Sequence, residues 1–272
     1  MRSDNQSRQR ICRQLAWLWG VLFLGVCGCA NFWDDVTSRD FKIKEFFAKA
    51  PPPLDVLRDS NDGAKRGRAY AALKEPLQHR GTQEQQELYM KLLTDAAIGD
   101  REPLCRVGAI QALSEYKDAR AAKVLDDVFL KDIPFSTEIR FRIKMQALAA
   151  LEKTGTAIAR QRLIDVAEQP GAAAATSVAD AQLTNDERLT AIRGLARFRS
   201  AETAEALVRV LEKAEKEKDV ATLDRAHQSL RTVTGKNLPP EAAAWRNQLQ
   251  KTPNDAYAKE PSLIQKLNPF GN

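Results

Sequence analysis

Five short stretches of the same form recur along the chain, and they constrain its fold more than any other feature. Each begins with Ala, has a small residue three positions later and ends with Leu in the next position. They occupy residues 69–73, 109–113, 147–151, 191–195 and 226–230, so that their first residues are 40, 38, 44 and 35 positions apart. A near-constant period of this size is typical of stacked helical repeats, and it predicts an all-α fold.

Helix geometry indicates what these stretches do. Residues at positions i, i+3 and i+4 of an α-helix share one face. Ala109 and Ala112, for example, give a low profile that lets another helix approach closely, while Leu113 supplies apolar bulk. We therefore expect the five faces to be buried, and we expect any recognition surface to lie on the second helices, the segment 170–185 or the two irregular ends of the chain.

Local signals place several helix ends. Asp62 is a plausible N-cap, and Thr82 with Gln85 fits a capping box. Asp100 is expected to cap the helix that carries Pro103 in its first turn.

A second helix with an apolar face is predicted to follow each of the first four stretches. The residues assigned to these faces are Leu88, Leu92 and Ala96, then Ala122, Leu125 and Phe129, then Ile158, Leu163 and Val166, and finally Ala204, Leu207, Val208 and Leu211.

The last repeat and the segment 170–185 depart from the pattern. Gly235 is expected to end a helix, Pro239 or Pro240 to open the next, and Trp245 to cover the end of the core. The Ala-rich insert 170–185 accounts for the longest spacing. It is either a tolerated insertion, as a loop or short helix, or a binding loop.

The second repeat, with Arg106, Ala109, Ala112, Leu113 and Asp118, resembles the HEAT repeat, including the HEAT-like variety related to phycobilisome lyases. The resemblance implies a right-handed α-solenoid of about five hairpins, with the second helices lining its inner face. On this basis the solenoid spans 59–250, with repeats near 59–99, 100–133, 134–170, 184–218 and 219–250, and an irregular tail follows at 251–272.

The first residues have the layout of a secretory signal, with Arg8, Arg10 and Arg13 before an apolar run at 15–28. The run is short for a membrane span, which needs about 20 apolar residues. It ends in Val-Cys-Gly-Cys at 26–29, which resembles the lipobox of bacterial lipoprotein signal peptides.

That resemblance implies cleavage between Gly28 and Cys29, loss of 1–28 and lipidation of Cys29. An ordinary cleaved signal and an uncleaved anchor are the alternatives. The lipidated N-terminus and linker would then occupy 29–58, and residues 30–58 would either lie on the membrane or fold back to cap the first repeat.

Charge argues against nucleic acid as a partner. The chain carries a net charge of +6, and Arg2, Arg8, Arg10 and Arg13 against Asp4 place +3 of it in the first 28 residues. Nucleic-acid binding usually needs a clustered basic face. Arg66, Arg106, Lys144 and Arg188 recur at one repeat position, and they form either a basic stripe or structural contacts with acidic turn residues of neighbouring repeats.

The residues that usually carry chemistry are sparse. The chain has two His, His79 and His227, and lacks the CxxC, HExxH, GxGxxG and P-loop motifs, so we predict no catalytic, cofactor or metal site. Two cysteines lie beyond the signal region, Cys29 and Cys105. Cys105 is either a reactive thiol in the first turn of a helix or a small buried residue.

These observations predict a non-enzymatic interaction scaffold in the bacterial cell envelope, lipid-anchored to a membrane on its periplasmic or extracytoplasmic side. Its partners would be proteins that the sequence does not identify. The alternative, a lyase-type enzyme or enzyme accessory, depends on the phycobilisome-lyase resemblance alone.

Overall fold

A computed structural model describes residues 51–170 and 178–251, with no side-chain description for 178–180. Within these ranges the chain forms eleven α-helices, one 3-10 helix (Pro76–His79) and no strand, which confirms the all-α prediction. The α-helices are α1 (Pro53–Asp59), α2 (Gly63–Ala71), α3 (Gln83–Gly99), α4 (Pro103–Ser114), α5 (Ala119–Leu130), α6 (Thr137–Thr154), α7 (Ala157–Ala167), α8 (Val178–Leu195), α9 (Ala201–Glu217), α10 (Val220–Thr234) and α11 (Ala242–Gln250). Gly28, Cys29 and the tail from 252 lie outside the described residues.

The helices pack in two rows. The first row contains α2, α4, α6, α8 and α10, and each helix packs on the next in that order. The second row contains α3, α5, α7, α9 and α11, which also pack in order. Each second-row helix from α3 to α9 also packs on the first-row helix that follows it in the chain. One buried apolar core therefore runs between the rows from Tyr70 to Trp245.

The five Ala-to-Leu stretches lie on the buried face of the first row. Every leading Ala and every closing Leu is buried, as are the small residues between them with one exception. The exception is Ala72, which is exposed because α2 ends at Ala71 and Ala72 is its C-cap. Burial of these faces was the central prediction, and it is confirmed apart from this residue.

Two glycines bring α2 and α4 into close contact. A Cβ atom built on Gly108 would lie 2.0 Å from the carbonyl oxygen of Gly67. A Cβ atom on Gly67 would lie 2.6 Å from the carbonyl oxygen of Leu104. The two helix backbones therefore meet at a distance that only glycine allows.

Most of the predicted helix caps are present. The Asp62 carboxylate accepts hydrogen bonds from the N–H groups of Ala64 and Lys65, and Thr82 forms its capping box with Gln85. The prediction for Asp100 is wrong, because α4 begins at Pro103 and its N-cap is Glu102. Nor do Pro239 or Pro240 open the last helix, since α11 begins at Ala242 after the N-cap Glu241.

The predicted faces of the second row are correct for α5 and α9 but wrong in part for α3 and α7. Leu88 is 47% exposed and Ile158 is 43% exposed. In α3 the buried residues include Met90, Leu93 and, unexpectedly, Gln86. The Gln86 amide donates to the carboxylates of Glu75 and Asp118, and these bonds compensate for its burial.

Both ends of the core are covered. Leu54 and Leu57 of α1 pack against the core at the α2 end, so this part of the predicted linker caps the first helix of the row. At the other end Trp245 is fully buried, and its indole N–H donates to the carbonyl oxygen of Pro239 at 2.9 Å. Gly235 adopts the left-handed conformation (φ 68°) that ends α10, as predicted.

Part of the insert 170–185 is helical, because α8 begins at Val178 and continues to Leu195. Residues 171–177 lie outside the described part of the chain. Among the helices that the structure describes, none has the length and apolar content that crossing a bilayer requires.

Candidate interaction surfaces

The repeated cations point inward and pair with residues of the neighbouring repeat. Arg66 Nη2 lies 2.8 Å from the Asp100 carboxylate, and Arg188 Nη1 lies 3.7 Å from that of Asp219. Both acidic residues lie just before the next first-row helix, as the structural interpretation of the repeated cations requires.

The two remaining cations of the series lie over aromatic rings. The Arg106 guanidinium is 5.0 Å from the centre of the Phe135 ring, and Lys144 Nζ is 5.7 Å from that of Phe129. Such cation–π contacts stabilise partly buried cations. Since Arg106 and Arg188 are themselves buried, the series does not form a continuous exposed basic stripe.

The outer surface of the second row carries ion pairs that join each helix to the next. In most of them an acidic side chain of one helix meets an Arg of the following helix. The pairs are Glu87–Arg120, Asp126–Arg162, Arg160–Glu202, Glu168–Arg209 and Glu212–Arg246. The arginines of this surface are therefore engaged within the molecule, which reduces the charge available to a partner.

A cleft of about 300 Å³ lies between α9 and α11 on this surface. Its lining includes Val208, Leu249, Arg209 and Arg246, and both arginines belong to the ion pairs just described. Binding an anion in this cleft would compete with those pairs.

A groove of about 270 Å³ crosses three first-row helices. Its apolar lining consists of Phe141 and Met145 on α6 and Leu189 on α8, and all three side chains are half-buried. None of them belongs to the buried core. We refer to this feature as the first-row groove.

Three charged residues complete the first-row groove: Asp186 and Arg193 on α8, and Arg225 on α10. Asp186 and Arg193 are exposed and Arg225 is half-buried. Within the described part of the chain, Arg193 and Arg225 form no ion pair, unlike the arginines of the second row. The groove therefore combines apolar side chains with two unpaired guanidinium groups and one carboxylate.

Helix periodicity brings these residues together. Phe141 and Met145 are four positions apart on α6, and Leu189 and Arg193 have the same spacing on α8. Residues with this spacing share a helix face. The Ala-to-Leu stretch uses another face of the same helix, so that burial in the core leaves this face free.

Two of the groove residues share a position in the repeat that lies outside the buried face of the Ala-to-Leu stretches. This sequence signal was overlooked because the Ala-to-Leu pattern dominates each repeat. Met145 and Leu189 both stand two positions before the leading Ala of their stretch, where the other three repeats have Gly67, Val107 and Asp224. The second, third and fourth repeats therefore have an apolar residue at this position, and those of the third and fourth line the groove.

The groups singled out for possible chemistry have structural contacts. His79 Nδ1 lies 2.9 Å from the carbonyl oxygen of Glu75, and His227 Nε2 lies 2.7 Å from that of Leu238. Because a carbonyl oxygen only accepts, each of these nitrogens carries a proton and has no lone pair for a metal. In the described ranges no three His, Cys, Asp or Glu side chains are placed to hold a metal ion.

Cys105 is a buried thiol. Its side chain is fully shielded from solvent, and Sγ lies 3.6 Å from the carbonyl oxygen of Gly63. Burial, reinforced by the charge of Asp100, raises the pKa of the thiol from 9.0 to about 11. This favours the structural interpretation of Cys105 over the reactive one.

The chain matches no protein-family model, no curated protein and no solved structure with which it was compared. What the fold itself defines is an all-α protein with two rows of helices around a continuous core. Its function has to be argued from its surfaces.

Proposed function

We propose that the chain is a right-handed HEAT-like α-solenoid of about five hairpins that acts as a protein-interaction scaffold. In this proposal a lipid on Cys29 holds it to a membrane on the periplasmic or extracytoplasmic side of a bacterial cell envelope. The order of packing within the two rows supports a solenoid, because successive helices contact their neighbours in the chain.

The observation that carries a binding role is the first-row groove. Apolar side chains that are only half-buried and lie outside the core are typical of a protein contact surface. Three neighbouring helices contribute to the groove, so a partner would engage more than one repeat at once. Extended multi-repeat surfaces are how stacked helical proteins generally bind other proteins.

Site-specific photo-cross-linking in intact envelopes tests this role. A photoreactive amino acid is placed at Met145 or Leu189 in the groove and, as a matched control, at exposed Gln161 on the second row. We expect discrete adducts of one partner from the groove positions and none from position 161. Equal labelling at all three positions would contradict a dedicated binding surface.

The lipid anchor has a separate test. Cys29→Ala should abolish incorporation of labelled fatty acid and release the protein from the membrane fraction, whereas Cys27→Ala should leave both unchanged. Membrane association that survives Cys29→Ala would refute the anchor without affecting the groove.

The lyase-type alternative predicts a bound chromophore. An absorbance spectrum of the purified protein with visible bands would favour it, and a spectrum with aromatic absorption alone would favour the scaffold.

A further inference from the structure

Resting on the proposed scaffold function, we infer that the first-row groove binds an acidic, apolar segment of a partner protein. Apolar side chains of the segment would lie against Phe141, Met145 and Leu189. Its carboxylates would pair with Arg193 and Arg225.

The apolar part of the inference follows from burial. Phe141, Met145 and Leu189 line one continuous groove yet do not reach the core. Elsewhere on α6, Ile143 and Leu148 are buried almost completely. Covering the groove residues would remove apolar surface from water, which is favourable at about 25 cal/mol per Å².

The acidic part follows from charge. Arg193 and Arg225 have no ion-pair partner in the described part of the chain, whereas Arg120, Arg162, Arg209 and Arg246 on the second row do. The one carboxylate of the groove, on Asp186, leaves a positive excess. A guanidinium binds a carboxylate through two parallel hydrogen bonds, so each free arginine offers a specific site for Asp or Glu.

The shape of the groove favours a peptide segment over a small molecule. Its volume of about 270 Å³ is spread over three helices. Pockets for small ligands usually bury most of the ligand. A shallow surface of this kind accommodates two or three side chains of an extended or helical segment.

The charge count also favours a protein over an anionic lipid surface. Recognition of anionic membranes usually needs about 4–8 clustered Lys or Arg residues. The groove has two, together with one carboxylate.

The test uses the full-length purified protein and two fluorescein-labelled peptides. The acidic peptide carries Leu at positions i and i+4 flanked by Glu, and the basic peptide has Lys in place of every Glu. Fluorescence anisotropy measures binding at low salt, because ionic strength screens exposed charge pairs. Vesicles of phosphatidylglycerol and phosphatidylcholine form a third arm.

We expect the acidic peptide to bind and the basic peptide to bind at least tenfold more weakly. Arg193→Glu and Arg225→Glu should each weaken binding of the acidic peptide about tenfold, the effect of losing one charge-assisted hydrogen-bonded pair. Met145→Gln, which keeps the length of the side chain, should also weaken it. The control Lys123→Glu, at an exposed cation of α5, should have no effect.

The double variant of Arg193→Glu and Arg225→Glu should reverse the preference and bind the basic peptide. This gain cannot arise from unfolding, and unchanged urea unfolding of the single variants provides a second check. Equal affinity for both peptides, or an effect of Lys123→Glu as large as that of Arg193→Glu, would overturn the inference. So would binding to anionic vesicles that depends on both arginines in the absence of peptide binding.

Different outcomes contradict the proposed scaffold function and the inference of an acidic segment. Cross-links at Met145 without a preference for the acidic peptide would support the scaffold function and contradict the binding of an acidic segment. Peptide preference without any groove cross-link in envelopes would support the groove chemistry and contradict the scaffold.

Discussion

Arg188 faces Asp219 across the junction of α8 and α10, with 3.7 Å between Nη1 and the carboxylate. Arg188 is 1% exposed, and its Nε and Nη2 atoms have no hydrogen-bond partner among the residues that the structure describes. Asp219 also caps α10 by accepting from the N–H of Thr222. The carboxylate therefore stabilises both a buried cation and a helix end.

Asp219→Ala is expected to lower the free energy of unfolding by about 3 kcal/mol, because it leaves the buried guanidinium uncompensated and removes a cap. Arg188→Met should cost less than about 1 kcal/mol, since an apolar side chain replaces unsatisfied donors. Urea unfolding followed by circular dichroism measures both. A larger loss for Arg188→Met than for Asp219→Ala would show that the pair stabilises the fold in its own right.

Gly108→Ala is expected to destabilise the protein by about 2 kcal/mol or more, because the new methyl group would overlap the Gly67 carbonyl and force α2 away from α4. Gly99→Ala provides the matched control. Outside the adjoining backbone of α3, no atom of the described residues lies within 4 Å of a Cβ at Gly99, so Ala should raise stability by about 0.5 kcal/mol. Thermal unfolding distinguishes the two, and similar shifts in Tm would contradict the close approach.

Cys105 should react slowly with thiol reagents in the native protein at pH 8, because burial holds its pKa near 11 and shields Sγ. In a variant with Cys12, Cys27 and Cys29 replaced by Ser, the rate of reaction with Ellman's reagent should rise at least tenfold in urea. Leu104→Cys in a Cys105→Ala background is the exposed control. Equal rates for positions 104 and 105 in native protein would refute the shielding.

The same shift predicts a pH dependence of stability. The folded state keeps the thiol proton up to about pH 11, whereas the unfolded chain loses it near 9.0. Unfolding therefore becomes more favourable as pH rises through this window. Cys105→Ala should reduce the loss of stability between these two pH values, measured by urea unfolding at each pH.

For Asp118 we expect a pH dependence of stability with the opposite sign, in the acid range. Hydrogen bonds from Arg120 and, less strongly, from Gln86 lower the pKa of its carboxyl to about 2. The folded state then binds fewer protons than the unfolded chain, so its contribution is present above about pH 4 and is lost as pH falls toward 2. The stability difference between wild type and Asp118→Asn should shrink over this range.

The sequence was sufficient for the fold class and for the buried face of the first row, because small residues and Leu at fixed spacing have one structural meaning in a helix. It was insufficient for α3. Leu88, Leu92 and Ala96 have helical spacing, but the face that the structure buries is a different one, which includes Met90 and Leu93. There Gln86 is buried because Glu75 and Asp118, 11 and 32 positions away, accept its hydrogen bonds. Such long-range polar contacts are not visible in local periodicity.

The first-row groove could not be predicted from the sequence for a related reason. Phe141 and Met145 are apolar residues on a helix, and helix periodicity alone assigns such residues to the core. Only the packing of α6 beside α8, and the absence of ion pairs at Arg193 and Arg225 among the described residues, distinguishes them as a surface. From the sequence, recognition was expected outside the Ala-to-Leu stretches, on the second helices, the insert 170–185 or the two irregular ends. The proposed groove differs from this expectation, because it lies on the first row and includes Arg193 of the stretch 191–195.

Because the buried indole of Trp245 covers one end of the core, proteolysis before α11 would uncover that end. Trp245 is the last large buried side chain of the described residues, and α11, which carries it, packs on α9. Release of α11 by a cut between α10 and α11 would expose the surface of α9 on which α11 packs, while leaving the contacts from α2 to α8 in place. Damage at this end would thus remain local, and the shortened chain would display a newly exposed part of its core.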